Sequence, residues 1–192
     1  MGKKKDPFRN QLKTLASIEE SITKILRDYE NQKALSPELR QPVFRSVFDP
    51  HKATTYTTEK VGRNTIFYGD NEVHGGLKEG DYLLSPSDPN IVLASDLHGL
   101  SFNSTCESTI RTLKFLGKFP PKGTRARVAY WIDEESCVIP AGLAFKVDPD
   151  DDTHYFLAAI EEMTITQLIS KLQMFGQRMA VMDSLALETF KA

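Results

Sequence analysis

Arg45 interrupts the run Val43-Phe44-Arg45-Ser46-Val47-Phe48, which is otherwise made mostly of β-forming apolar residues. A guanidinium on a short buried strand needs a carboxylate, a phosphate or a backbone carbonyl, because an unpaired desolvated charge is very costly. Its chemistry would be anion binding, and the structural alternative is a surface arginine bridging a neighbouring carboxylate. Ser101 and Ser104 lie where Leu100-Ser101-Phe102 gives way to a helical pattern. A hydroxyl at such a step can hold a sugar hydroxyl, and the helix start offers unpaired N–H groups to an anion. Ser104 has a competing role as the cap of a capping box with Glu107. Ser101 has no such competitor.

His154 opens another strand-like run. Near neutrality histidine serves as acid, base or hydrogen-bond donor to a hydroxyl, or simply as a structural hydrogen-bonder. Glu161 and Glu162 follow that run directly. A carboxylate placed there can stabilise a developing positive charge, and its competing role is to complement the positive end of the helix that comes next. Adjacent side chains on extended chain point to opposite faces, so at most one of the two glutamates serves. Trp131, in Ala129-Tyr130-Trp131-Ile132, reads as core, with a stacking wall for an aromatic ring as the lesser alternative.

Several chemistries are excluded. The four histidines show no His-x-x-x-His or His-Glu-x-x-His spacing, so no metal is expected. Asp148 and the run Asp150-Asp151-Asp152 lack the glycine and distal glutamate of a calcium loop and read as a solvated turn. There is no P-loop, no Gly-x-Ser-x-Gly and no credible Gly-x-Gly-x-x-Gly. Cys106 and Cys137 are too few for a disulfide framework, and reduced, partly buried thiols are expected. A formal net charge of -2 removes any whole-chain reason to expect nucleic-acid binding. No apolar run reaches the ~18 residues that span a bilayer. Nothing near Met1 has the apolar core of a secretory signal, so a cytoplasmic protein without membrane attachment is expected.

The elements that must position these residues follow from periodicity. Leu15, Ile18, Ile22, Ile25 and Tyr29 step by three and four, which predicts a long amphipathic helix from Phe8 to Tyr29. Packing against its own domain competes with docking on a partner helix. Ser36-Pro37 opens at most one helical turn before Pro42. Strands are predicted at Val43–Phe48, Thr54–Thr58, Thr65–Tyr68, Leu100–Phe102, Ala126–Ile132, Cys137–Ile139, Leu143–Val147 and His154–Ile160, with Ile91–Ala94 leading from a turn cluster toward Gly99. A helix carrying Ile110, Leu113 and Leu116 stops near Gly117, and a closing helix is capped by Thr164 with Gln167 and faces the core with Ile165, Leu168, Ile169, Leu172 and Phe175. Parity on the last strand predicts that Tyr155 and Leu157 pack against the closing helix while His154 opens toward one cleft with Arg45 and Ser101. At 192 residues the chain makes one full core plus an appendage.

The order Gly99-Leu100-Ser101-Phe102-Asn103-Ser104, then Cys137-Val138-Ile139-Pro140-Ala141-Gly142-Leu143, then Thr153-His154-Tyr155-Phe156-Leu157-Ala158 resembles small bacterial type VI secretion effector toxins with an ADP-ribosyltransferase-like fold. The resemblance runs from Pro42 to Phe175. It implies a split-sheet ADP-ribosyltransferase-like type, so the expected fold is α+β in a single domain with a mostly antiparallel sheet, preceded by the long N-terminal helix read from its periodicity, divided as residues 1–41 (helix and linker) and 42–192 (toxin domain). It also implies an antibacterial toxin acting in the recipient cytoplasm on NAD as substrate. Its partners would be a secretion apparatus, a cognate immunity protein and an unknown macromolecular acceptor. Arg45, Ser101 and Ser104 would hold NAD, and His154 and Glu161 would be catalytic. Two departures stand out: Ser-Phe-Asn-Ser-Thr replaces the Ser-Thr-Ser of arginine-modifying transferases, and Glu161 and Glu162 are adjacent where the family motif separates its glutamates by one residue. The rival reading is a non-enzymatic interaction protein that docks through its N-terminal amphipathic helix.

Overall fold

A computed structural model describes residues 15–48, 66–68, 76–78, 80–116, 125–134, 138–182 and 185–186. Within them the three-four stripe of the N-terminal segment forms helix α1, Leu15–Lys33, of 19 residues. Ile18 and Ile22 are fully buried and Tyr29 nearly so. The predicted start of this helix, residues 8–14, lies outside the described residues, and its end is one turn later than predicted. The backbone then makes a single turn, Leu39 N–H donating to the Ser36 carbonyl at 3.1 Å, before Pro42.

Strand β1 occupies Val43–Phe48, as the run of β-formers predicts. It is followed by the hairpin β2 (Ile66–Tyr68) and β3 (Gly76–Lys78), then β4 (Ile91–Val92), β5 (Gly99–Asn103), α2 (Cys106–Leu116) and β6 (Arg125–Trp131). After these come β7 (Leu143–Asp148), β8 (Asp151–Ala159), β9 (Met163–Thr164), α3 (Ile165–Gly176), β10 (Ala180–Val181) and β11 (Leu185–Ala186). The main sheet runs β10-β6-β1-β5-β8-β7, with β11 also on β6, and every pair in it is antiparallel. Two small two-stranded sheets, β2-β3 and β4-β9, stand apart from it. The architecture is therefore α+β with a mostly antiparallel sheet. Among the described residues no helix is long and apolar enough to cross a membrane.

The sheet separates two cores. On one face α3 buries Ile165, Leu168, Ile169, Leu172 and Phe175 against Val43, Leu100, Phe102, Trp131, Leu143 and Leu157. Trp131 is core, 1% exposed, nearly parallel to Phe175 and inclined to Phe145. On the other face α1 and α2 enclose Ile18, Ile22, Phe44, Ile110, Leu113, Val128 and Met182. Because β1 is sandwiched between the two layers, Val43 and Phe44 are both buried although they point in opposite directions. Residues 15–33 thus share a core with the elements beyond residue 42.

Local chemistry explains most element ends. Thr164 Oγ1 accepts from the Gln167 N–H and Gln167 Oε1 accepts from the Thr164 N–H, the predicted capping box of α3. The cap of α2 is one residue later than predicted. Thr105 Oγ1 accepts the Ser108 N–H at 3.1 Å and its carbonyl accepts the Thr109 N–H, while Ser104 turns away to β8. Thr105→Ala is expected to cost about 0.5–2 kcal/mol in urea unfolding. A loss confined to Ser104→Ala would restore the predicted cap.

Strand β8 begins at Asp151, three residues before the prediction, because the turn from β7 needs only Pro149 and Asp150. The strand predicted at Cys137–Ile139 is not formed at Val138–Ile139, where Pro140 and the turn through Gly142 (φ +82°) intervene. That segment is held instead by α3 and the turn after it, Lys171 Nζ of α3 donating to the Ala141 carbonyl and Arg178 Nη1 to that of Val138 at 3.4 Å. The strand predicted at Thr54–Thr58, Gly117 and Cys137 lie outside the described residues.

Candidate functional site

Register decides which side chains meet. Phe44 pairs with Asn103, so Arg45 lies across from Phe102, which in turn pairs with Tyr155. Arg45, Phe102 and Tyr155 form one row on the α3 face, the Arg45 guanidinium 5.8 Å from the Phe102 ring centroid. Asn103 pairs with His154, and Ser101 with Phe156, so these four lie on the opposite face. Tyr155 and Leu157 pack toward α3 as predicted, with Leu157 fully buried. The single cleft predicted for Arg45, Ser101 and His154 is corrected: His154 and Ser101 share a face, and Arg45 is on the other. Arg45 still touches the second strand, its Nη1 donating to the Ser101 carbonyl at 2.9 Å.

The remaining predicted residues separate further. Ser104 is 3% exposed, and its N–H and its hydroxyl both donate to the Thr153 carbonyl, at 2.9 and 3.2 Å. Its hydrogen bonds fasten the end of β5 to β8. Glu161 lies past the far end of β8, exposed, with Oε1 4.0 Å from Lys171 Nζ. His154 stands near the start of β8 and Glu161 two residues past its end, so five strand steps, roughly 16 Å at the usual rise, already separate His154 from Ala159. Glu162 is exposed beside Glu161.

His154 is built into a network that the sequence pattern did not reveal. Its Nδ1 is 2.8 Å from Asp148 Oδ2, and each side chain is 21% exposed. The register of the β7–β8 body would set Asp148 across from His154, but the ladder slips after Val147 and pairs Asp148 with Asp151. Such irregularities re-aim a side chain next to the ladder they interrupt. Asp148 Oδ1 accepts the Asp150 N–H at 3.0 Å. Asp151 Oδ1 accepts the N–H and the hydroxyl of Thr153, at 2.9 and 2.6 Å. Its Oδ2 meets Arg111 Nη2 of α2 at 2.9 Å. Phe156 stands almost perpendicular to the imidazole, centroids 4.8 Å apart. On the same face Lys146, which pairs with Phe156, reaches Asp96 at 3.0 Å. The run around Asp148 is therefore more than the solvated turn expected.

A carboxylate on Nδ1 orients the ring and favours the tautomer with Nδ1–H donated to Asp148, which leaves Nε2 as the basic nitrogen. The Asp150 N–H, and after it the His154 side chain, hold the Asp148 carboxyl below its ordinary value of 3.8. A depressed folded-state value means that the bond stabilises the fold fully above the unfolded value, and that this is lost as pH falls through the folded one. The urea midpoint of wild type is expected to drop below about pH 4, where the unfolded carboxyl titrates. Asp148→Asn should flatten that drop. Equal slopes for the two proteins would remove Asp148 from the account.

A groove of about 760 Å³ lies between α1 and α2, lined by Glu19, Cys106, Ile110, Arg111 and Phe115 among others. It holds none of the predicted site residues. Burial pushes the Cys106 thiol up, which keeps it protonated and a poor nucleophile. Among the described residues no group of three or more His, Cys, Asp or Glu could hold a metal ion. No family model, no curated protein and no solved structure matches this chain.

Proposed function

We propose that the chain is an NAD-consuming toxin domain of the ADP-ribosyltransferase-like type, with His154 as the group that works on the ribose. The observation that carries the reading is the imidazole of His154, braced at Nδ1 by Asp148 and partly open on the sheet face that also bears Ser101. An imidazole braced in this way presents Nε2 to a ligand and can hydrogen-bond a ribose hydroxyl or pass a proton at that atom. Ser101, exposed in the neighbouring row, offers a second hydroxyl to the same ligand. In this reading Arg45 ties β1 to β5, Ser104 ties β5 to β8, and Glu161 is a surface partner of Lys171. The cation already held in the network is Arg111, and anion contacts fall to it rather than to Arg45.

The toxin role, export by a type VI apparatus, an immunity protein and a macromolecular acceptor come with the resemblance of the three motifs. The split-sheet type belongs to the same proposal. The rival reading, docking through the N-terminal helix, loses its apolar face, because Ile18 and Ile22 are spent in the chain's own core. The test is to incubate the purified chain with NAD and measure nicotinamide release, with and without a bacterial lysate as acceptor. Expression of the intact chain in a bacterial cytoplasm should also arrest growth and deplete NAD. Unchanged NAD in both settings would overturn the proposal.

A further inference from the structure

Strand β7 ends the main sheet, and among the described residues β8 is its one strand neighbour. The Ile160 N–H donates to the Gly142 carbonyl at 2.9 Å, so Gly142 with Ile160 is a hydrogen-bonded pair. Counting in twos along the ladder, Ala144 with Ala158 and Lys146 with Phe156 are hydrogen-bonded pairs as well. Leu143, Phe145 and Val147 alternate with them and turn their backbone groups outward, away from β8. The Leu143 N–H is spent in the turn before the strand, donating to the Pro140 carbonyl at 3.1 Å. The outward N–H groups of Phe145 and Val147, and the carbonyls of Leu143, Phe145 and Val147, have no backbone partner among the described residues.

Sheets commonly guard such an edge with a very short strand, a proline, a bulge or a free lysine. The opposite side of this sheet ends in β10 and β11, of two residues each. Strand β7 has six residues and no proline, and its register slips only after Val147. Its one lysine, Lys146, is neutralised by Asp96 at 3.0 Å, and the side chain of Val147 is left 50% exposed.

We infer that β7 is the seam of a homodimer, paired antiparallel with β7 of a second copy about a twofold axis at Phe145. In that register each Phe145 N–H donates to the second copy's Phe145 carbonyl and each Val147 N–H to the second copy's Leu143 carbonyl, so all four outward donors are matched. On the α3 face the two Phe145 side chains lie side by side and Val147 meets Leu143, while on the other face Lys146 stands across from Ala144. Sliding one copy by two residues toward its turn would set Lys146 directly against Lys146, a destabilising like-charge pair. A second copy carries the matching donors, acceptors and apolar side chains by symmetry, whereas a strand of another protein would have to supply them anew. The inference goes beyond the NAD reading and does not depend on it.

Sedimentation of the full chain from micromolar to near-millimolar concentration should show the mass rising from 21.6 kDa to twice that value. Val147→Pro removes only an outward donor, at an edge position that proline tolerates. It is expected to melt close to wild type and to raise the dimer dissociation constant at least about tenfold, since two hydrogen bonds are lost. Amide exchange of the wild-type protein gives a readout that needs no variant: Phe145 and Val147 should become protected as concentration rises, while Ala144 and Lys146, bonded to β8, are protected throughout. A chain that stays monomeric at every concentration overturns the inference, whether its Phe145 and Val147 amides exchange freely or are slowed by other residues of the same chain. A dimer in which those two amides stay unprotected, and which Val147→Pro leaves intact, overturns β7 as the seam.

Discussion

His154→Ala is expected to lower NAD turnover by roughly 10²–10⁴-fold, the usual worth of a positioned acid or base. The side chain is partly open and its partner Asp148 sits at a hairpin turn, so the melting temperature should move little. Asp148→Asn should give an intermediate loss, because the imidazole keeps a hydrogen bond but no longer the partner that favours its working tautomer. His154→Gln separates this from a structural effect: it keeps a hydrogen-bonding side chain without an acid or base, so turnover should stay low while NAD binding is retained. Retention of full turnover by a well-folded His154→Ala protein would remove the catalytic assignment.

Trp131→Ala carries the largest expected loss of stability, roughly 3–5 kcal/mol for a large aromatic truncated in a packed core. Trp131 is 1% exposed and sits between Phe145, 5.3 Å away, and Phe175, 6.4 Å away, with β6 on one side and α3 on the other. The hole would be lined by rings that cannot collapse into it without dragging a strand. For a chain of this size the melting temperature should fall by roughly 6–20 °C. Val138→Ala, at a position 58% exposed, serves as the control and should stay within about 0.5 kcal/mol. A Trp131→Ala protein that melts with wild type would mean that the aromatic cluster is not the structural centre of the α3 face.

What could be read from the chain alone follows the distance over which each feature is determined. Helix α3 was legible in full, because its cap at Thr164, its box at Gln167 and its stripe from Ile165 to Phe175 all lie within one local segment. Strands β1, β6 and β7 were legible for the same reason. The α2 cap slipped by one residue, since Ser104 and Thr105 have the same capping chemistry and only the pull of the Thr153 carbonyl on Ser104 decides between them.

The site was less legible. Parity correctly set Tyr155 and Leu157 opposite His154, but the relation of Arg45 to either depends on pairing Phe44 with Asn103, far away in sequence. Asp148 was hidden among acidic turn residues. The signal was present: a two-residue turn at Pro149 and Asp150 folds the chain back on itself, which brings residues 148 and 154 within reach, but the slip in register that completes the contact has no mark in the residue types.

The position of β6 has a consequence for how the chain is assembled. One side of β6 is zipped to β1, whose residues lie roughly 85 positions earlier, and the other to β10 and β11, roughly 50–60 positions later, so neither contact rewards a locally folded piece. During synthesis β1 must wait for β6, and the outer edge of β6 then waits for residues 180–186. Until they arrive that edge is a template for pairing with another chain. Folding should accordingly be slow for the size of the protein, and the interval before closure is when the chain is most exposed to aggregation and most easily captured by a chaperone.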